Sequence, residues 1–248
     1  MARDSNKKGK IILALDVADI SSAGRLLDRT GNRLKIIKIG PALFTGYGPK
    51  VVEMVRRKGA DVFLDLKFHD IPNTVASAVR QAVRLRVKML TLHTSGGAEM
   101  LKAAAEAAGQ EAARLKVKKP LLLGITVLTS DRGSVNTKAT VISRARLAKN
   151  CGLDGIVCSA GEAAEVRRAC GKEFVIVTPG IRPRGADAGD QKRVATAKAA
   201  FASGADYIVV GRPILEAQNP GAAIQNIIQE CYNATGDRYG RPDQGIAR

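Results

Sequence analysis

Eight apolar runs recur along the chain, each followed by a polar or glycine-containing turn. They are Ile11–Leu15, Leu34–Ile39, Val62–Leu66, Met89–Leu92, Leu121–Val127, Gly155–Cys158, Phe174–Val177 and Tyr207–Val210. All are rich in Val, Ile and Leu without strict alternation, as strands buried on both faces are. Between them lie stretches with helical character: Ser21–Arg29, Pro72–Arg86, Glu99–Leu115, Ala139–Lys149, Ala163–Ala169, Asp190–Ala202 and Ala222–Tyr232. Pro72 suits a first helical turn, where a missing N–H costs nothing. Alternation without a Pro- or Ser-rich linker predicts the α/β class and a single (β/α)8 TIM barrel over residues 11–234. A doubly wound parallel sheet is the alternative. Residues 1–10 and 235–248 read as polar tails.

The residues that close each run sharpen this reading. The first run ends at Asp16, the second holds Lys38, and the third delivers Asp65 and Lys67. The fourth gives His93 and Thr94, the fifth Thr129 and Ser130, the seventh Thr178 to Arg182, and the eighth Gly211 and Arg212. Polar groups therefore gather at the carboxyl ends of the strands, where barrels of this kind do their chemistry. Strict alternation would put Asp65 and Lys67 on one face of their strand. A carboxylate and an ammonium are costly to bury unless they pair, so a structural ion pair is the bland alternative to a functional one. Gly211-Arg212 opens a helix after the last strand and suits an anion, because free N–H groups and a guanidinium fork converge there. Pro179–Lys192 is long, polar and rich in Gly and Pro at its start, and reads as a mobile lid with Gln191 at its far end. His93 has no assignable role and is expected to be a hydrogen-bonded core histidine.

Composition narrows the partners. The 248 residues suit one barrel, and 45% of them are hydrophobic. No apolar run approaches the length of a membrane span, and Met1 to Lys10 lacks the apolar core of a signal peptide. The expected location is the cytoplasm. Cys151, Cys158, Cys170 and Cys231 form no C-x-x-C pair, and with two His in the chain no zinc pattern arises. Reduced thiols are expected. The formal net charge of +17 favours anionic partners. With aromatics at 4% and no Trp, a base-stacking surface is not expected, and neither nucleic acid nor membrane is assigned as a partner.

The run Asp65-Leu66-Lys67-Phe68-His69-Asp70-Ile71-Pro72-Asn73-Thr74 resembles the signature of the orotidine 5'-phosphate decarboxylase family. So do Leu13–Asp16, Lys38–Gly40, Thr126–Ser130, Thr178–Pro183, Gly189–Gln191 and Gly211–Pro213, and the resemblance spans about residues 11 to 231. It implies a carboxy-lyase that converts orotidine monophosphate to uridine monophosphate, the last step of pyrimidine synthesis, with no metal or organic cofactor. It implies Lys67, Asp65, Asp70 and Lys38 as the catalytic array. Asp16 and Lys38 would meet ribose hydroxyls, and Thr129 the pyrimidine amide edge. Arg182, Gln191, Gly211 and Arg212 would hold the phosphate. It also implies a homodimer in which Asp70 and Thr74 enter the partner's site. D-x-K-x-x-D alone is shared with metal-dependent sugar-phosphate enzymes of the same superfamily, the 3-hexulose-6-phosphate synthases and keto-gulonate-phosphate decarboxylases. Thr129 and the Arg182–Gln191 lid argue against these. A basic nucleic-acid-binding protein built on a vestigial barrel is the reading from another class.

Overall fold

The computed structural model describes residues 10–31, 33–127, 137–183 and 194–232. The expected tails, apart from Lys10, lie outside these residues, as do Thr129 and Gln191. Among the described residues the elements run β1 (Ile11–Ala14), α1 (Ile20–Thr30), β2 (Ile36–Ile39), α2 (Pro41–Tyr47), α3 (Pro49–Arg57), β3 (Asp61–Phe68), α4 (Pro72–Arg84), β4 (Met89–His93) and α5 (Gly97–Leu115). They continue with β5 (Leu121–Ile125), α6 (Thr137–Asn150), β6 (Gly155–Val157), α7 (Ala160–Cys170), β7 (Val175–Thr178), α8 (Ala197–Ala202), β8 (Tyr207–Val210), α9 (Arg212–Leu215) and α10 (Pro220–Tyr232).

The strands pair in chain order, all parallel. β1 also pairs with β8, with Ile12 opposite Val209, and that pairing closes the barrel. Closure removes the doubly wound alternative, whose sheet would keep two open edges.

The absence of strict alternation in the strands has a direct cause. Ile12, Ala14, Ile36, Phe63, Met89, Leu123, Val177 and Val209 form one buried cluster, the plug inside the barrel. Their neighbours in the strands, such as Leu13, Ile37, Leu64, Leu90, Leu122, Ile176 and Ile208, join a second cluster shared with the helices. Both faces of each strand are therefore dry. Small residues in the wall set the packing distance. A Cβ on Gly155 would lie 2.2 Å from the Val175 carbonyl oxygen and 2.7 Å from the Val175 Cβ.

The crossover between β2 and β3 differs from the sequence reading, which marked no helix there. It holds α2 and α3, each with Pro in its first turn, divided at Gly48 with φ 53°. Dense Gly and Pro read as a turn, yet Val51, Val52 and Val55 bury one face of α3 against the barrel. The helix expected from Asp190 begins, within the described residues, at Ala197, where the Thr196 side chain accepts the Ala199 N–H. The helix expected to open at Gly211-Arg212 is α9, a single turn capped by Gly211.

Gly155→Ala should destabilise the fold by about 3 kcal/mol, because backbone on both strands must move. That corresponds to a fall in Tm of roughly 6–12 °C for a chain of this size. Thermal melting followed by circular dichroism checks it, and an unchanged Tm would mean that the wall yields at no cost.

Candidate functional site

Residues two apart on a strand face the same way. Above the apolar plug the inward positions are therefore Asp16 beyond Ala14, Lys38 beyond Ile36, Asp65 beyond Phe63 and Thr91 beyond Met89. Here, at the carboxyl ends of the strands, the barrel opens into a cavity of about 620 Å³. Asp16, Lys38, Asp65, Lys67, Arg182 and Arg212 line its polar side, and Ile125, Val127, Val157 and Val209 an apolar wall. Gly211 and Pro179 complete the rim.

The charges form an ordered array. Lys38 Nζ lies 3.5 Å from Asp16 Oδ1 and 3.2 Å from Asp65 Oδ2. Lys67 Nζ lies 3.0 Å from the same Asp65 oxygen. One carboxylate oxygen thus sits between two ammonium groups, and the other accepts a hydrogen bond from the Thr91 hydroxyl at 3.0 Å. Asp65 is 7% exposed. Burial pushes its carboxyl up, but Lys38 and Lys67 outweigh burial and hold it below the usual carboxylate range. The pair of lysines therefore keeps a buried carboxylate ionised, and the carboxylate keeps two ammonium groups close together.

Strand alternation alone does not bring Asp65 and Lys67 together, contrary to the sequence reading. β3 and β4 pair in step at Phe63–Met89 and Leu64–Leu90, and then again only at Phe68–Leu92. Four steps along β3 match two along β4, so β3 bulges. Within the bulge Lys67 takes the left-handed conformation, φ 52°. That conformation costs a residue with a side chain roughly 1–2 kcal/mol. The Lys67 N–H, displaced from the ladder, is accepted by Thr91 Oγ1 at 2.9 Å. Thr91 is the site residue that sequence reading missed. Its signal was a polar residue in the apolar run Met89–Leu92, at the parity of Met89.

Other expected residues divide into three groups. Arg182 is 8% exposed and donates to the Ile181 carbonyl at 2.9 Å, while Arg212 is half-buried at the start of α9; both reach the cavity. Asp70 and Thr74 are exposed and do not join the array within this chain. Asp70 instead accepts the Ile71 N–H at 2.6 Å. Thr129 and Gln191 belong to the third group, outside the described residues.

His93 is hydrogen-bonded to Ser95, as expected of a structural histidine, but it is half-buried at a strand end rather than in the core. It stacks on His69 with ring centroids 5.3 Å apart. Burial lowers its pKa, and the nearby His69, Arg144 and Lys67 add to that. Arg144 itself, on α6, donates to the Thr126 carbonyl and braces the end of β5. Cys158 also lines the cavity, but burial raises its thiol pKa and so keeps it protonated. Among the described residues no cluster of three metal-ligating side chains occurs, and no helix is long and apolar enough to cross a membrane.

The arrangement offers a fixed ammonium beside a chamber with one apolar wall, and two guanidinium side chains in its lining. Such groups can stabilise negative charge that develops on a bound molecule, deliver a proton to it, and clamp a second anionic group some distance away.

Comparison with known proteins points the same way. Residues 9–227 match the family model described as orotidine 5'-phosphate decarboxylase / HUMPS family. The orotidine 5'-phosphate decarboxylase of Moorella thermoacetica is 49% identical over 232 residues, which cover 90% of this chain and 92% of that protein. The enzyme of the same name from Syntrophotalea carbinolica is 46% identical, over 91% of this chain and 96% of the other. Among solved structures, orotidine 5'-phosphate decarboxylase from Lactobacillus acidophilus superposes with a TM-score of 0.79 at 33% identity, covering 90% of this chain and 99% of that one.

The depressed carboxyl of Asp65 gives a signed expectation. Its native pKa lies below 3.8, so its ionised form stabilises the fold above that pH, and this contribution is lost as pH falls through the native value. Urea unfolding between about pH 5 and pH 3 should therefore show a steeper loss of stability in the wild type than in Asp65→Asn. Parallel profiles would mean that Asp65 is not coupled to folding.

Proposed function

The chain belongs to the orotidine 5'-phosphate decarboxylase / HUMPS family, and we propose that it decarboxylates orotidine 5'-phosphate to uridine 5'-phosphate in pyrimidine synthesis, without metal or organic cofactor. The observation that carries this reading is the Lys38–Asp65–Lys67 array, with Asp65 Oδ2 held 3.2 Å and 3.0 Å from the two ammonium groups at the cavity. Loss of carbon dioxide from C6 of the pyrimidine leaves an electron pair in an orbital with no adjacent sink. A cation fixed beside C6 lowers the energy of that pair, and a proton must then replace the carboxylate. Lys67 supplies both: its ammonium stabilises the developing carbanion and then protonates it. Asp65 keeps Lys67 charged and aimed.

One charge pair at 4 Å with an effective dielectric near 20 is worth about 4 kcal/mol. That is roughly three decades of rate, too little for the whole barrier of an uncatalysed decarboxylation. Binding energy from the remote phosphate must contribute, so its clamp is part of catalysis. Arg182, Arg212, Gly211 and, by resemblance, Gln191 make up that clamp. Asp16 and Lys38 meet the ribose hydroxyls, and Thr129 reads the pyrimidine amide edge. A barrel domain over residues 11–234 with polar tails remains our domain assignment.

The functional unit is a homodimer in this reading. Asp70, Ile71 and Thr74 are exposed side by side at the lip of the barrel, and Ile71 is 66% exposed, an unusual fate for isoleucine in water. A partner seated there would receive Asp70 and Thr74 into its site, where Asp70 would extend the charge array to Lys67. The cytoplasm is the inferred compartment, supported by four free and buried cysteines. No nucleic-acid or membrane partner is invoked.

Ultraviolet absorbance of orotidine 5'-phosphate, followed with enzyme and excess EDTA, tests the reaction. Wild type should bleach the orotate band, and Lys67→Ala should be slower by at least about a thousandfold. An inert, folded wild type would overturn the assignment and favour the metal-dependent sugar-phosphate branch. Sharing of sites is tested by mixing Lys67→Ala with Asp70→Ala, each inactive alone. Mixed dimers should regain part of the activity, and no recovery after demonstrated subunit exchange would show that each site is built from one chain.

A further inference from the structure

We propose that Thr91 is a positioning residue whose hydroxyl pins the β3 bulge, so that the Asp65 carboxylate and the Lys67 ammonium meet at the cavity. Thr91 stands on β4, fully buried, and does not line the cavity itself. It acts through two neighbours. Its Oγ1 accepts the Lys67 N–H at 2.9 Å, and its hydroxyl donates to Asp65 Oδ1 at 3.0 Å.

The direction of both bonds follows from chemistry. An ionised carboxylate only accepts, and a backbone N–H only donates. A group that bridges them must donate one hydrogen and accept another, and a hydroxyl does both. Valine has the same shape and does neither. The break in pairing between Leu64 and Phe68 takes the Lys67 N–H off the regular ladder, so Thr91 stands in for a strand partner. Without it a half-buried N–H loses its acceptor at a residue already in the left-handed conformation. Asp65 Oδ1 loses its donor at the same time. The ammonium of Lys67 would then be aimed by a loosened backbone, although every charge in the site is still present.

The experiment compares Thr91→Val and Thr91→Ser with wild type, with melting curves to show that each is folded. Its kinetic arm rests on the decarboxylase reading above. Thr91→Val should lower kcat about 10–100-fold with KM within about threefold, since the loss falls on aiming in the transition state. The acidic limb of its kcat/KM profile should move to higher pH, because the carboxylate has lost a donor. The charged groups facing Asp65 are Lys38 on β2 and Lys67 on β3, with Asp16 behind Lys38 and His93 further along β4, and none of them is altered. Thr91→Ser keeps the hydroxyl and should stay within about threefold of wild type in kcat, with an unmoved acidic limb. If Thr91→Val does not fold, Thr91→Cys, a weak donor and acceptor of similar size, takes its place.

Wild-type kcat and pH profile in Thr91→Val would overturn the proposal. So would equal losses in Val and Ser, which would point to packing alone. If wild type itself fails to turn over orotidine 5'-phosphate, the functional reading falls and amide exchange decides the clamp. The Lys67 N–H should exchange faster in Thr91→Val than in Thr91→Ser. Equal protection would overturn the clamp.

Discussion

The ionised carboxylate of Asp65, almost wholly removed from water, shares one oxygen between two ammonium groups and gives the other to a buried hydroxyl. A buried charge persists only when such partners replace its lost hydration. The constraint runs through the rest of the site. It demands Lys38 from β2, Lys67 from β3 and Thr91 from β4 at the same level of the barrel. The parallel register of these strands supplies that level. The array fixes two ammonium groups at the cavity around one buried carboxylate oxygen.

The plug beneath the array is equally physical in origin. Ile12, Ile36, Phe63, Met89, Leu123, Val177 and Val209 fill the barrel interior, so the charges above them face a dry floor. The apolar wall of Ile125, Val127, Val157 and Val209 continues this surface into the cavity. A charged group placed there would stand between a low-dielectric wall and a row of charges, which would strengthen each electrostatic contact it makes. The buried Arg182 and the half-buried Arg212 line the same cavity and add to its positive side.

Much of this was legible in the chain. The eight apolar runs became eight strands, with Tyr207–Val210 unchanged and most others shifted by a residue or two. Asp16, Lys38, Asp65, Lys67, Arg182 and Arg212 stand out in the sequence because they gather at or just after the carboxyl ends of apolar runs, and all six line one cavity. The helices α2 and α3 were not legible, because Gly and Pro signal turns by local backbone preference while the burial of Val51, Val52 and Val55 is a tertiary matter. The half-buried place of His93 against His69 was hidden for a similar reason, since its neighbour comes from another strand's loop.

The sequence by itself determined the order of elements, the dry character of every strand, and which residues carry charge at the strand ends. These are local properties, set by side-chain chemistry and spacing along one chain. Only the tertiary structure decided how Asp65 and Lys67 come together. Alternation put them on one face, yet the chain leaves regular pairing at that point and turns Lys67 left-handed onto Thr91. That geometry depends on a hydroxyl 24 residues away on the neighbouring strand. A bulge is a compromise between two strands over their shared hydrogen bonds, so it is not written in either strand alone.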